Sequence, residues 1–288
     1  MNKRVCLITG ATDGVGKVTA IELAKRGFTV VLAARSAEKA ARLKQEIAAS
    51  TGNTRTESII ADLACLRQVR ALVDDFRARR DTLDVLINNA GVFLPERTET
   101  EDGFETTFQV NYLSHFLLTG LLLDTLKKST QGRIVNLSSS VYSVGKFEPD
   151  NLQSEKRFSV LGTYAASKLF MLMFTKELAL KLSSTRVTAN AVHPGIVRTP
   201  MMLKAPGAFR VMSYLSLPFS ISPARGAQTS VLLATSPDVA GISGEYFTSS
   251  ARTATKSAFD TEKNRALLWA LSEKCSQGSA TQVTQRDG

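Results

Sequence analysis

Short β-rich runs alternate with longer stretches of helical period along the whole chain, and that alternation predicts the architecture. Apolar, β-branched runs read as strands at 4–9, 28–34, 55–60, 83–88, 132–138, 186–192 and 243–247. Between them, apolar positions recur at helical spacing near 15–26, 36–50, 65–79, 101–128, 160–183, 223–236 and 260–274. A helix after nearly every strand predicts an α/β fold: a doubly wound, mostly parallel, seven-stranded sheet with helices on both faces, forming a single domain over 1–278. One segment breaks the alternation. Residues 200–222 are rich in Met, Phe, Leu and Pro and follow the sixth strand, at the sheet edge where such folds bind ligands. They read as a lid over a substrate, with core filling or a subunit contact as the alternative. Residues 279–288 are polar and read as a tail.

Composition narrows the function classes. With 288 residues, 43% of them hydrophobic, the chain can bury a substantial core. Its three cysteines, Cys6, Cys65 and Cys275, form neither a C-x-x-C pair nor a Cys/His cluster, which predicts no metal site and a reduced, cytoplasmic setting. The chain enters its first strand-like run almost at once, and no stretch of roughly 18 apolar residues follows, so neither a signal peptide nor a membrane span is expected. The net charge of +10 comes from Lys and Arg dispersed among acids, without a basic block interleaved with aromatics, so no nucleic-acid partner is expected.

The first strand runs through Thr9 into Gly10-Ala11-Thr12-Asp13-Gly14-Val15-Gly16 and then a helix. Glycines in a first βα turn let the backbone approach a pyrophosphate, and the helix N-terminus supplies N–H donors. The spacing is G-x-x-x-G-x-G. Asp13 places a negative charge in this loop, which Lys17 is expected to offset. At the end of the second strand, Arg35 stands where a reader of the ribose 2′-hydroxyl places an acid, and its guanidinium suits a 2′-phosphate; the cofactor expected is NADP(H). After the third strand Asp62-Leu63 can face an adenine amino group, or Asp62 can cap the next helix. Asn88-Asn89-Ala90-Gly91 follows the fourth strand, with small residues for close cofactor approach and amides that tie neighbouring strands.

The fifth strand ends in Ser138-Ser139-Ser140, and Tyr164 and Lys168 follow with the spacing Y-x-x-x-K, one turn apart on a predicted helix. Taken in order, Thr9 to Gly16, Asp62, Asn88 to Gly91, Asn111, Ser139, Tyr164, Lys168 and His193-Pro194-Gly195-Ile196-Val197-Arg198-Thr199 resemble the short-chain dehydrogenase/reductase family over nearly the whole chain. Asn111-Tyr112-Leu113-Ser114-His115-Phe116, the long Ser-to-Tyr spacer and Gly244-Glu245-Tyr246-Phe247 are most similar to its retinol dehydrogenase and protochlorophyllide reductase-like branch.

The resemblance implies a Rossmann-type fold and a catalytic set of Asn111, Ser139, Tyr164 and Lys168. It further implies that Lys168 holds the nicotinamide ribose and that Pro194, Gly195, Val197 and Thr199 border the carboxamide. Free tyrosine has a pKa of about 10, so acid/base work near neutrality calls for Lys168 and a positive nicotinamide to stabilise the phenolate. Ser139 is chosen over its neighbours Ser138 and Ser140 to hold the substrate oxygen, and Asn111 to position a water beside Lys168. His115 reads as a packed histidine and Trp269 as a core anchor. The expected activity is hydride transfer between NADP(H) and the carbonyl or alcohol carbon of a small apolar molecule. Reduction of a carbon–carbon double bond and a non-catalytic cofactor sensor are the alternatives. Apolar positions in the two long helices, among them Leu169, Phe170, Leu172, Met173 and Phe174, favour a homodimer or homotetramer.

Overall fold

Strands β1 (Val5–Thr9) and β2 (Thr29–Ala34) are buried at every position, as expected for central strands covered on both faces, and they pair in parallel from Val5↔Thr29 to Thr9↔Ala33. The computed structural model describes residues 4–198 and 220–278. Around this pair the sheet adds β3 (Thr56–Ile60), β4 (Val85–Asn88), β5 (Arg133–Leu137), β6 (Thr188–His193), β7 (Tyr246–Thr248) and β8 (Ala251–Arg252) in the order β3-β2-β1-β4-β5-β6-β7-β8. The sheet is thus eight-stranded, one more than the sequence predicts. The extra strand is a two-residue antiparallel return on β7, turned by Ser249 and Ser250 at positive φ, and is too short to leave a periodic signal.

One face is covered by α1 (Gly14–Lys25), α2 (Ala37–Thr51) and α6 (Pro223–Thr235). The other is covered by α3 (Leu66–Arg79), α4 (Ser114–Lys127), α5 (Val160–Lys181) and α7 (Glu262–Gln277). Each face has its own apolar core. Serine or threonine side chains begin four of these helices: Ser36, Ser159, Ser222 and Thr261 accept N–H bonds from the first turns of α2, α5, α6 and α7.

Two sequence expectations change here. The helix expected over 101–128 begins at Thr106 and passes through a π-helical turn, Gln109–Leu113, before α4. The side chains taken as subunit contacts, Leu169, Phe170, Leu172, Met173 and Phe174, are buried inside the chain, where their apolar surface stabilises the fold instead of a neighbour. Trp269 is only partly buried; it meets Phe116 edge-to-face, centroids 5.0 Å apart, and donates from its indole to Glu273. Of the lid expected over 200–222, only 220–222 fall among the described residues, and the 279–288 tail lies outside them.

The chain crosses from β1 to β2 on one side and from β4 to β5 on the other, so the crevice between β1 and β4 opens at the carboxyl edge of the sheet. The turns after β1, β2, β3, β4, β5 and β6 all reach this edge.

Candidate active site

A cleft of about 760 Å³ runs along that edge. Its wall is formed by Gly10, Thr12, Asp13, Gly14, Val15 and Gly16 from the first turn, Arg35 after β2, Asp62 and Leu63 after β3, and Asn89, Ala90 and Gly91 after β4. Ser139, Tyr164, Lys168, Pro194, Gly195 and Val197 complete it. Of the sequence-derived site residues, Asn111 stands behind the cleft, fully buried, and Thr199 lies outside the described residues.

The glycines have specific physical causes. Gly10 sits at φ +64°, and a Cβ on Gly16 would lie 2.4 Å from Asn89 Nδ2 and 2.5 Å from Gly10 O. The first turn therefore closes directly against the Asn89 turn, whose side-chain amide donates to Thr9 O at 2.8 Å and Gly10 O at 3.0 Å. Asp13 is the N-cap of α1 and accepts from Gly14 N at 2.7 Å, so its charge serves the helix N-terminus. The expected offset by Lys17 is not found: its ammonium pairs with Glu46 at 2.7 Å. Asp62 does not cap α3 either. It accepts from Ala64 N at 2.9 Å in a tight turn, and the first turn of α3 is capped from another loop, where Asp102 accepts from Leu66 N at 2.8 Å.

At the far end of the cleft Arg35 is exposed and Lys39, one turn into α2, faces the same space. The sequence reading missed Lys39, because an exposed lysine on an amphipathic helix looks like solvated surface. The signal that could have found it is its spacing of four from Arg35, across the Ser36 cap.

At the chemical end, Ser138 and Ser139 separate cleanly. Ser138 is buried and donates to Lys168 O at 2.8 Å, whereas Ser139 stands half-buried on the cleft wall. The turn that carries Ser139 presses on α5 because Gly145 has no side chain: a Cβ there would lie 2.4 Å from Ala165 O. Lys168 is buried, donates to Leu137 O at 3.0 Å, and holds its ammonium 5.5 Å from the centre of the Tyr164 ring. Phe93 meets the Tyr164 ring edge-on, centroids 5.1 Å apart. Gly91 makes room for this group: a Cβ there would be 3.3 Å from Asn111 Oδ1 and 3.6 Å from Lys168 Nζ.

Burial pushes Tyr164 up to about 12 and Lys168 down to about 8. The lowering of the tyrosine expected from Lys168 is thus absent from the protein alone. Desolvation disfavours the phenolate, and the ammonium is turned toward Leu137 O. Asn111 binds protein with its whole side chain. Its Oδ1 accepts from Val92 N at 2.7 Å, and its Nδ2 donates to Val92 O at 3.0 Å and Ser167 Oγ at 3.1 Å. Among the described residues there is no group of His, Cys, Asp and Glu that could hold a metal ion, and no helix long and apolar enough to cross a membrane.

The donor set fits a dinucleotide: a glycine turn at a helix N-terminus for the pyrophosphate, cations beside the end of β2, and a cleft of cofactor size. The short chain dehydrogenase family model matches residues 4–207. A mouse (Mus musculus) protein named retinol dehydrogenase 14 is 45% identical over 263 residues, covering 86% of this chain and 78% of that one. A Brucella melitensis 3-ketoacyl-(acyl-carrier-protein) reductase solved with NADH is similar at TM-score 0.67 and 26% identity, covering 85% of this chain and 96% of that one. A Shigella flexneri short chain dehydrogenase solved with NADP is similar at TM-score 0.69 and 27% identity, covering 87% and 98%. By its glycine turn, its Ser139, Tyr164 and Lys168 wall and these matches, the chain belongs to the short-chain dehydrogenase/reductase family, in its retinol dehydrogenase branch.

Proposed function

We propose that the protein is an NADP(H)-dependent oxidoreductase of the carbonyl reductase or alcohol dehydrogenase type, acting on a small apolar carbonyl or alcohol. The observation that carries this reading is the convergence of Ser139, Tyr164 and Lys168 on one wall of the cleft, with Arg35 and Lys39 at its other end. When bound, the nicotinamide supplies hydride to a carbonyl carbon or takes it from an alcohol. Ser139 donates a hydrogen bond to the substrate oxygen. Tyr164, held as a phenol by its desolvated position, gives that oxygen its proton in reduction and takes it back in oxidation. Lys168 keeps a positive charge beside the ring and so favours the phenolate left behind. Arg35 and Lys39 hold the 2′-phosphate, which selects NADP(H) over NAD(H).

Phe93, Val141, Leu161 and Ile196 line the substrate end, an apolar surface suited to an extended hydrocarbon such as a retinoid. The test is oxidation of NADPH, followed by its absorbance, with a panel of apolar aldehydes and ketones that includes all-trans-retinal. Turnover with alcohol as product supports the reading. Turnover of enones to saturated ketones would instead assign reduction of the carbon–carbon double bond.

A further inference from the structure

His115, on the first turn of α4, is fully buried and touches neither the cleft nor solvent. Its two ring nitrogens join the two halves of the site. Nδ1 lies 3.2 Å from Asn111 O, and Nε2 lies 3.0 Å from Thr9 Oγ1. The partners decide which nitrogen carries the proton. Asn111 O can only accept, so Nδ1 donates. Burial and the Lys168 charge hold the imidazole's pKa down to about 4, so the ring is neutral at pH 7 and Nε2 is bare. Nε2 therefore accepts, and the Thr9 hydroxyl must donate to it.

Thr9 can do so because its remaining capacity is already used in the opposite sense. Its oxygen accepts from Asn89 N at 2.9 Å and Ala90 N at 3.0 Å. A directed line of hydrogen bonds results: from the Asn89 and Ala90 amides to Thr9, from Thr9 to His115, and from His115 to the Asn111 carbonyl. Asn111 lies in the π-helical turn, in which Ser114 N reaches back to Gln109 O, and such turns are frequent at functional sites. The side chain of Asn111 meanwhile holds Val92 and Ser167, next to Gly91 and Lys168.

We propose that His115 is a positioning residue: as the Nδ1–H tautomer it fixes the Asn111 carbonyl and π-turn relative to the nucleotide-side turn, and through Asn111 sets the place of Gly91 and Lys168. The proposal rests on the oxidoreductase reading for its effect on turnover, but its tautomer does not depend on activity. Two amides each mimic half of the ring. Asparagine reproduces the Nδ1–H donor toward Asn111 O, while Thr9 can turn its hydroxyl to Ile87 O at 3.4 Å. Glutamine reaches the Nε2 position and loses the Asn111 bond.

The experiment has two arms. In the first, kcat and KM for NADPH-dependent reduction of all-trans-retinal, with the NADPH dissociation constant, are measured for wild type, His115→Asn, His115→Gln and His115→Leu. The expected result is rescue by asparagine to within about threefold of wild-type kcat. The Gln and Leu variants should lose roughly 10–100-fold in kcat at similar KM and NADPH affinity, the size of effect that misplacing a catalytic group produces. A merely structural role would lower thermal stability without ranking Asn above Gln in kcat. A Gln variant as fast as Asn, an Asn variant as slow as Leu, or a Leu variant near wild type overturns the proposal. In the second arm, ¹⁵N-histidine NMR of the protein with and without NADP⁺ reads the tautomer directly. The chain has only two histidines, and a His193→Gln variant assigns them. A protonated Nδ1 and bare Nε2 on His115 are expected, and a protonated Nε2 overturns the proposal. Wild type that reduces none of the carbonyls would overturn the oxidoreductase reading alone, with the NMR arm still deciding on His115.

Discussion

The Lys168 ammonium sits 5.5 Å from the centre of the Tyr164 ring while donating a 3.0 Å hydrogen bond to Leu137 O. The charge is beside the phenol but held by the end of β5, so each group titrates as a desolvated one: Tyr164 up to about 12, Lys168 down to about 8. This fixes opposite pH slopes for the two directions. Reduction uses the protonated phenol, which persists through neutrality, so kcat/KM stays level and falls above about pH 8 as Lys168 loses its proton. Oxidation needs the phenolate and rises with pH. Rate profiles from pH 6 to 10 in both directions check this; a reduction rate that climbs across that range would contradict it.

The same lysine makes the site costly to the fold. Its folded pKa of about 8 lies below the 10.5 of an ordinary, solvated lysine, so between about 8 and 10.5 the unfolded chain binds the extra proton and stability rises with pH; below 8 the penalty is fully developed. Lys168→Met removes it. The variant is expected to melt a few degrees above wild type at pH 7, with the gap closing toward pH 10, and to lose turnover. Thermal melts at the two pH values test both the sign and the window.

Ser138 and Ser139 are adjacent but differ in what they hold. Ser138→Ala removes a buried bond to Lys168 O and should cost about 1 kcal/mol of stability. Ser139→Ala should leave the melting temperature unchanged and lower kcat by roughly 10²-fold, as loss of an oxyanion donor does. The reverse pattern would move the substrate contact to Ser138.

Arg35 and Lys39 line the end of the cleft beyond β2, and among the described residues no carboxylate pairs with either. Charge-assisted bonds of this type are worth about 1.5–3 kcal/mol, so Arg35→Ser should reduce kcat/KM with NADPH by roughly tenfold or more and leave NADH almost unaffected. Lys39→Ala should act in the same direction with a smaller effect. Equal losses with both cofactors would remove the 2′-phosphate assignment.

How much of this was legible in the chain depends on the range of the interaction. The seven parallel strands and their helices were readable because period and capping are local, as at Ser36 and Ser159. The glycine turn was readable for the same reason. Partners remote in sequence were not: Lys17 finds Glu46 and not Asp13, and α3 receives its cap from Asp102, 36 residues beyond Leu66. The π-helical turn left no signature, since 107–119 are buried at every position and present no polar face against which a one-residue slip would show. His115 read as a packed histidine, and it is packed; that its two nitrogens span Thr9 and Asn111 follows only from the sheet order that brings β1 next to β4.

The central claim is that the Tyr164 hydroxyl carries the proton of the reaction. Tyr164→Phe removes only that oxygen and leaves the ring against Phe93. The decisive measurement is single-turnover reduction of all-trans-retinal by this variant preloaded with NADPH, beside its NADPH dissociation constant. The account predicts a loss of roughly 10²–10⁴-fold in rate with cofactor affinity unchanged. Turnover within a few fold of wild type would contradict it.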